Sequence, residues 1–413
     1  MKLNHSLPRT AAFLACIVLA GCQSTKPDVQ AKPAPAITPA PAPLANNVKP
    51  APAPNNATVI PADLLKPASF AQLPGWGRDD LREAWPAFLA SCQALNKKSE
   101  WSEVCAIARQ VDAASNSAIR NYFETFFTPH QVNNPDATDV GLVTGYYEPL
   151  LRGARKRGGP YQVPLYKAPD DLITVELGSV YPELKNMRLR GRLVGNKLLP
   201  YPSRAEIDGA NLLAGHELLW VDDAAEAFFL QVQGSGRVTL EGEKKGGKPE
   251  VVRVAYADQN GHPYKSIGRW LVDKGELKLE QASMQGIRAW ALANPGRAQE
   301  MYNANPSYVF FKEEKLPDPK VGPKGALGVP LHAQRSIAVD PTMLPLGAPV
   351  YLATTQPNAE TPLQRLMMAQ DTGGAIRGAV RADFFWGFGA EAADKAGKMK
   401  QRGQMWVLLP KQV

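Results

Sequence analysis

The stretch Met367–Gly389 reads MMAQDTGGAIRGAVRADFFWGFG and carries two aspartates, Asp371 and Asp383, twelve residues apart. Glycines occupy positions 373, 374 and 378 between them. Because glycine adopts backbone conformations that other residues disfavour, this segment can turn tightly between two strands. The stretch therefore raises the question whether its two carboxyl groups belong to a protease dyad or to another kind of acid site.

The triplet Asp371-Thr372-Gly373 is also the catalytic triplet of aspartic proteases. Those enzymes need two aspartates ~3 Å apart that share a proton, each on its own Asp-Thr/Ser-Gly turn. This chain contains one such triplet. A homodimer of the retroviral type could supply a second copy, but such chains are far shorter and carry an apolar-apolar-Gly element that the C-terminal MWVLLP lacks. An aspartic protease is therefore disfavoured.

The sequence lacks the motifs of several other catalytic classes. The segment Gly242–Pro249 has the GxxxxGK spacing of a phosphate loop but ends in proline instead of Ser or Thr, so it predicts a charged hairpin loop. Ser235, in QGSGR, does not lie in a GxSxG nucleophile elbow. The five histidines form no HExxH motif, and there is no CxxC pair. Carboxylate chemistry without a metal or cofactor remains.

Composition indicates a large globular protein rich in turns. The chain has 413 residues, of which 37 are proline and 34 are glycine. Single cores usually stop growing near ~250 residues, so this length favours two domains. The formal charge of +8 suits an acidic partner. Nucleic acid, anionic lipid and an acidic polysaccharide all fit, and charge alone does not choose among them.

The first 22 residues have the pattern of a secretory signal, with Lys2 and Arg9 before the apolar run AAFLACIVLAGC. The ending LAGC resembles the lipobox of bacterial lipoproteins, which implies that Cys22 is lipidated; the alternative is an ordinary signal peptide that ends in cysteine. Gln23 after this cysteine implies the outer membrane. Residues 23–61 are rich in Ala and Pro and predict an extended tether on the order of 100 Å long.

Two cysteines, Cys92 and Cys105, remain in the folded part. In an oxidising compartment such a pair predicts a disulfide, and both lie on apolar stripes with helical spacing. The bridge would join two short helices. Two buried free thiols are the alternative.

The pattern of apolar residues along the chain suggests an inserted domain. Apolar stripes predict helices over residues 62–133, with Pro86 as a kink in the first. Short apolar runs over residues 144–273, including AFFLQVQGSGRVTLEG (227–242), predict strands of a barrel or sandwich. A helix is predicted at 283–292, and strands follow to the C-terminus. The β-rich middle is consistent with a domain inserted into one formed by both ends of the chain.

Aromatic rings and amides are suited to sugars, and Tyr146, Gln231 and Gln233 offer both in predicted turn regions. A position in the core or in a turn explains each of them equally well.

Several ordered motifs follow one another: VTGYYEP (143–149), YPSRAEI (201–207), QVQGSG (231–236), YADQNGHPYKSIG (256–268), SMQGIRAW (283–290), NPSYVFF (305–311) and AQDTGGAIRGAVRADFFWG (369–387). Together with the lipobox they resemble the membrane-bound lytic murein transglycosylase A family, over roughly residues 144–407.

The resemblance implies a mainly β fold, with a double-psi β-barrel domain, N-terminal helices and a second, smaller inserted β domain. We expect the barrel domain to comprise residues 62–144 and 275–413, and the inserted domain residues 145–274. The segment at about 330–410 resembles the 3D domain, named for three aspartates, which here would be Asp340, Asp371 and Asp383.

By position in these motifs, Asp383 matches the catalytic acid of the family and Asp371 is its supporting carboxylate. The expected substrate-binding residues in the groove are Thr144, Tyr146, Gln231, Gln233, Gly234, Ser235 and Asp340. The helical segment with Cys92 and Cys105 contains no motif of the family.

The implied reaction is cleavage of peptidoglycan by a single acid, without water, to give 1,6-anhydromuramoyl products. Asp383 must then titrate well above the aspartate reference of about 3.9, through burial or the charge of Asp371. The implied partners are glycan strands and a membrane, not nucleic acid, while cell-wall synthesis or division complexes remain open. A competing interpretation is a lipoprotein that binds peptidoglycan without cutting it.

Overall fold

A computed structural model describes residues 64–411, except 182, 183, 185, 186, 188, 246 and 317. The predicted signal segment, the tether and Cys22 lie outside the described residues. Within the described part, none of the helices combines the length and the apolar character needed to cross a membrane.

The strands are β1 (Leu65–Pro67), β2 (Phe127–Val132), β3 (Gly141–Glu148), β4 (Leu150–Ala154), β5 (Val163–Tyr166), β6 (Ile173–Val175), β7 (Leu189–Val194), β8 (Lys197–Pro200), β9 (Glu217–Val221), β10 (Ser235–Lys245), β11 (Lys248–Gln259), β12 (Val309–Glu314), β13 (Ser336–Ala338), β14 (Pro349–Thr355), β15 (Pro362–Asp371), β16 (Arg381–Phe388) and β17 (Lys400–Pro410). The helices are α1 (Trp85–Leu95), α2 (Ser99–Ala108), α3 (Asn116–Phe126), α4 (Arg204–Ala210), α5 (Ala224–Gln233), α6 (Ile267–Asp273), α7 (Met284–Ala293), α8 (Pro295–Asn303) and α9 (Ala390–Lys398).

The largest sheet closes into a barrel. Its eight strands follow the order β1-β2-β17-β14-β15-β13-β16-β3, and β3 also pairs with β17. The ring from β17 through β14, β15, β13, β16 and β3 therefore returns to its start, while β1 and β2 extend from it. Both ends of the folded chain contribute strands, which confirms the mainly β fold class with a barrel built from distant segments.

A second sheet of six strands, in the order β12-β11-β10-β4-β9-β5, is built from the middle of the chain. A three-stranded sheet, β6-β7-β8, belongs to the same stretch. The predicted end of the insertion at residue 274 is too early, because β12 lies well beyond it and pairs antiparallel with β11. The predicted start at residue 145 also falls inside β3, which pairs with β16 of the barrel through Glu148. The partner of a strand depends on distant chain segments, so the local sequence pattern does not reveal it.

The N-terminal region contains α1, α2 and α3, as the apolar stripes predict. A disulfide joins Cys92 in α1 to Cys105 in α2. Pro86 does not kink a helix but lies in the first turn of α1. Proline is tolerated there because the first backbone N–H groups of a helix have no partner within the helix.

The predicted strand at AFFLQVQ is instead the helix α5. Asp223 caps its first turn by accepting hydrogen bonds from the backbone N–H groups of Ala225 and Glu226. Gly234 ends it with a φ of +77°, which favours glycine. A short apolar run does not distinguish a buried strand from a buried helix, and the capping residues decide here.

Strands β3 and β16 separate two packed faces. Val143, Tyr147, Phe384 and Trp386 belong to the main core of the barrel. Tyr146 and Phe385 point the other way and pack in a small cluster with Leu331, Ala338 and Ile376. Alternation along a strand puts Thr144 and Asp383 on this second face, called the site face below.

Candidate active site

The two predicted carboxylates lie in one row across neighbouring strands. Asp371 on β15 and Asp383 on β16 are both paired with Ala338 of β13, which lies between them. Asp383 is in turn paired with Thr144 of β3. Residues paired across strands share a face, and two strand spacings put the Cα atoms of the aspartates about 10 Å apart. Ala338 between them is buried and packs with Tyr146 and Phe385.

Asp383 is completely buried, with 0% of its surface exposed. Its Oδ1 accepts a hydrogen bond of 2.6 Å from the hydroxyl of Thr144. Its Oδ2 has no hydrogen-bond partner in the part of the chain that the structure describes. One oxygen of this carboxyl is therefore held in place, and the other is available for chemistry.

Burial raises the pKa of Asp383 to about 7, because the charged form loses its hydration. The positive charge of Arg381 and the hydrogen bond from Thr144 oppose this rise, and the negative charge of Asp371 adds to it. Desolvation is the largest of these effects. A carboxyl with this pKa is still substantially protonated near neutral pH, as a general acid must be.

Asp371 has both oxygens engaged. The phenol of Tyr146 donates to Oδ2 at 3.0 Å, and the backbone N–H of Ala326 donates to Oδ1 at 2.9 Å. Burial, together with the charges of both aspartates, raises the pKa of Tyr146 well above its usual range, so its phenol stays protonated as a donor. Tyr146 thus supports Asp371, although its ring was predicted as a surface for sugars.

Asp340 holds the loop that joins β15 and β16. Its Oδ1 accepts from the backbone N–H and the hydroxyl of Thr342, and its Oδ2 accepts from the N–H of Gly378. Gly378 has a φ of +106°, as the predicted tight turn requires. Asp340 is 3% exposed, and these contacts are those of a residue that caps turns. Binding of substrate by Asp340 stays a prediction.

The QGSG turn approaches the site through one contact. The side-chain oxygen of Gln233 accepts a hydrogen bond of 3.4 Å from the backbone N–H of Tyr147, next to Tyr146 on β3. Gln231 points elsewhere: its side-chain oxygen accepts from Arg204 and from the N–H of Val309, inside the inserted region.

The two other predicted residues of this segment, Gly234 and Ser235, lie at the junction between α5 and β10. Ser235 is buried. The structure thus brings Asp371, Asp383, Thr144 and Tyr146 together, and it does not bring Gln231 to them.

Sequence reasoning missed Arg381. Its Nη2 donates to the hydroxyl oxygen of Thr144 at 2.9 Å. The signal was present, because positions two apart on a strand share a face and the motif reads Arg381-Ala382-Asp383.

Sequence reasoning also missed a second buried cluster on the site face. Glu148 accepts from Arg237 Nε at 2.8 Å and from Arg253 Nε at 2.6 Å. No local pattern reveals this cluster, since its members are about ninety and a hundred residues apart.

Two further features bear on ligands. Among the described residues, no group of three or more His, Cys, Asp or Glu side chains is arranged to hold a metal ion. A surface pocket lined by Phe70, Leu73, Trp76 and Arg78 lies in the N-terminal region and contains none of the site residues.

Comparison with known proteins places this architecture in a family. The MltA specific insert domain matches residues 142–312, and the 3D domain matches residues 335–409. Membrane-bound lytic murein transglycosylase A of Escherichia coli is 35% identical over 278 residues, which cover 64% of this chain and 64% of that protein. The match thus spans slightly less than two thirds of that relative's length.

Solved structures extend the similarity over most of the chain. A crystal structure of MltA from Neisseria gonorrhoeae is 38% identical and covers 89% of this chain and 98% of its own, with a TM-score of 0.75. A crystal structure of E. coli MltA with bound chitohexaose is 27% identical and covers 79% and 90%, with a TM-score of 0.60. With the barrel, the insertion and the two domain matches in place, the chain belongs to the membrane-bound lytic murein transglycosylase A family.

Proposed function

We propose that this protein is a peptidoglycan lytic transglycosylase. It cleaves the β-1,4 bond between N-acetylmuramic acid and N-acetylglucosamine and leaves a 1,6-anhydromuramoyl end. The observation that carries the proposal is the state of Asp383: a buried carboxyl whose pKa is raised to about 7 and whose Oδ2 has no partner among the described residues. Such a group can give its proton to the glycosidic oxygen.

One acid is sufficient for this reaction. The proton of Asp383 goes to the glycosidic oxygen as the bond from that oxygen to C1 of the muramoyl residue breaks. The C6 hydroxyl of the same muramoyl residue then attacks C1, and its proton goes to the Asp383 carboxylate. No water enters, and the acid is regenerated. Intramolecular attack has a high effective molarity, so the protein need not supply a nucleophile.

The surroundings of Asp371 favour this route over hydrolysis. Ordinary glycosidases use a second carboxylate as a nucleophile or as the base that activates water. Both oxygens of Asp371 already accept hydrogen bonds, from Tyr146 and Ala326, which supports a structural role for this carboxylate. Its charge instead helps to keep Asp383 protonated.

A glycan must displace covering groups to reach Asp383, because that side chain has no exposed surface. The connector from β12 to β13, residues 318–335, crosses the site face. Its Ala326 binds Asp371, and its Leu331 packs with Tyr146. Movement of this connector is the simplest way to open the site.

The relatives and the formal charge support the proposed substrate and location. A crystal structure of E. coli MltA contains bound chitohexaose, an oligosaccharide, and the formal charge of +8 suits a wall polymer rich in carboxylates. Relatives are named membrane-bound. We infer that lipidated Cys22 anchors the protein in the outer membrane, facing the periplasm.

The test is mass spectrometry of the products released from purified sacculi by the chain from Gln23 onward and by its Asp383→Asn variant. We expect anhydromuropeptides from the wild type, and a rate lowered by about 10²–10⁴-fold in the variant. Asp394→Asn is the control, because Asp394 is an exposed aspartate on α9 that pairs with Lys398.

The products also separate the alternatives. Reducing-end sugars would indicate a hydrolase that uses water. Peptide cleavage with intact glycan strands would indicate a protease. No release at all, with the protein still pelleting with sacculi, would favour the binding lipoprotein. Unchanged activity of Asp383→Asn would remove Asp383 from the mechanism.

A further inference from the structure

Arg381 is a buried cation whose contacts are with neutral groups. It is 6% exposed, and the ion pairs among the described residues give it no carboxylate partner. Arg237 and Arg253 face Glu148, and Arg335 faces Asp79. Burial lowers the pKa of Arg381, but a guanidinium remains charged in proteins. Burying such a charge without an anion in contact is costly, so its position calls for a reason.

The guanidinium is fixed in one orientation. Its Nη1 donates to the backbone carbonyls of Leu142 and Ala382. Its Nη2 donates to the hydroxyl oxygen of Thr144 at 2.9 Å. The backbone of β3 and β16 therefore holds one end of the group and directs the other at Thr144.

This contact decides where the proton of Thr144 points. A hydroxyl has one proton, and arginine has donors but no acceptor. The oxygen of Thr144 must therefore accept from Arg381, and its proton is left for Asp383 Oδ1, 2.6 Å away. Because Oδ1 accepts this bond, the acidic proton of neutral Asp383 resides on Oδ2.

Without Arg381, the direction of the hydrogen bond between Thr144 and Asp383 could reverse. Thr144 could rotate and accept a proton from Oδ1, and the acidic proton would then point away from the glycosidic oxygen. We propose that Arg381 is a positioning residue that acts through Thr144 to hold the acidic proton of Asp383 on Oδ2. This inference rests on the proposed function and adds the device that directs its proton.

The charges around Asp383 give the inference a second consequence. The groups facing it are Arg381 on its own strand, Thr144 and Tyr146 on β3, and Asp371 on β15. Arg381 and Thr144 lower the pKa of Asp383, so removing either should raise it further. The acid must be protonated to act, so activity falls as pH rises through this pKa. Removing Arg381 should thus lower the maximal rate and move the basic limb to higher pH.

The experiment compares Arg381→Met, Thr144→Val and the double variant with the wild type, as initial rates of anhydromuropeptide release against pH. We expect about a 10-fold loss in each single variant, since misdirecting a general acid forfeits part of its effect. The double variant should lose no more than either single one, because both act through the same hydrogen bond. Arg381→Lys and Thr144→Ser should recover most of the rate.

Titration of the Asp383 carboxyl by ¹³C NMR gives a readout that does not need activity. We expect its pKa to rise in Arg381→Met and in Thr144→Val. It should not change in Arg402→Met, which removes an exposed arginine of the neighbouring strand β17 that donates to the carbonyl of Val140. General loosening of the site would admit water and lower the pKa instead.

Two results would overturn the inference: additive losses in the double variant, or an Asp383 titration that is unchanged or lowered without Arg381. If Arg381→Met does not fold, Thr144→Val against Thr144→Ser still decides whether the hydroxyl positions the proton. A wild type that releases no anhydromuropeptides would overturn the proposed function alone, because the titrations would still test the coupling of Arg381, Thr144 and Asp383.

Discussion

Glu148 and Asp383 are both completely buried carboxyl groups on the site face, yet their surroundings are opposite. Glu148 accepts from two guanidinium groups, those of Arg237 and Arg253. Asp383 accepts from one neutral hydroxyl at Oδ1, and its Oδ2 has no partner among the described residues. Burial alone therefore does not make a catalytic acid. The difference lies in whether cations in direct contact compensate the charged form.

The two groups also serve different parts of the molecule. Arg237 and Arg253 extend from Glu148 to backbone carbonyls of the connector, at Pro319 and Val321. Glu148 ends a barrel strand, while both arginines lie on strands of the second sheet. This cluster joins the sheets, whereas the row of paired residues on β15, β13, β16 and β3 contains Asp383, the proposed acid. The comparison predicts that changes at Glu148 affect stability and that changes at Asp383 affect chemistry.

The largest expected effect on stability is that of Glu148→Gln. This change leaves two buried guanidinium groups without their anion, which should lower the free energy of unfolding by about 3–5 kcal/mol. Urea denaturation measures it. The control is Glu313→Gln, which breaks the more exposed pair with Arg155 and should cost at most about 1 kcal/mol. A loss at Glu148 as small as that of the control would show that the cluster does not join the sheets.

The next effect is the dependence of stability on pH that Asp383 contributes. Its pKa is about 7 in the folded protein and close to 3.9 when unfolded, so the folded state keeps a proton that the unfolded state releases between these values. Stability contributed by Asp383 is therefore present below pH ~4 and is lost as pH rises to ~7. Asp383→Asn should gain up to about 4 kcal/mol relative to wild type between pH 4 and pH 8.

Thermal unfolding of both proteins across this range measures the difference. The value at pH 4 reports mainly what the new amide costs by itself, because Asp383 is then protonated in the folded wild type. A difference that stays constant with pH would mean that Asp383 is ionised throughout, and it would not be the acid.

Much of this contrast was readable in the sequence. Asp383 is followed by the apolar run Phe384-Phe385-Trp386, and the glycines between it and Asp371 predicted a tight turn between two strands. The apolar stripe over residues 283–292 predicted α7, and the structure shows that the hydroxyl of Ser283 caps this helix by accepting from the N–H of Gly286. These features are local, so periodicity and capping reveal them.

Other features depend on contacts that no local pattern contains. The partners of Glu148 come from strands far along the chain, and β12 joins the second sheet only because β11 presents a free edge to it. Arg381 is an intermediate case. Its strand position placed it beside Asp383, but the hydrogen bond to Thr144 requires β3 and β16 to be paired in parallel.

The smallest expected effect, and the finest test of the comparison, is that of Asp371→Asn on the pH profile. Asp371 is the weakest of the influences on Asp383, and its negative charge raises the pKa of that group. The amide of the variant can still accept from Ala326 and can donate to the phenol of Tyr146, so the site keeps its hydrogen bonds while the charge is lost. The pKa of Asp383 should fall, and the basic limb of the rate profile should move to lower pH. This is the opposite direction from Arg381→Met.

Asp340→Asn is the control, since that carboxylate caps turns at Thr342 and Gly378 and should leave the limb in place. If the basic limb of the pH–rate profile moves equally in both variants, the electrostatic field of the whole barrel, and not the row of paired residues, sets the pKa of Asp383.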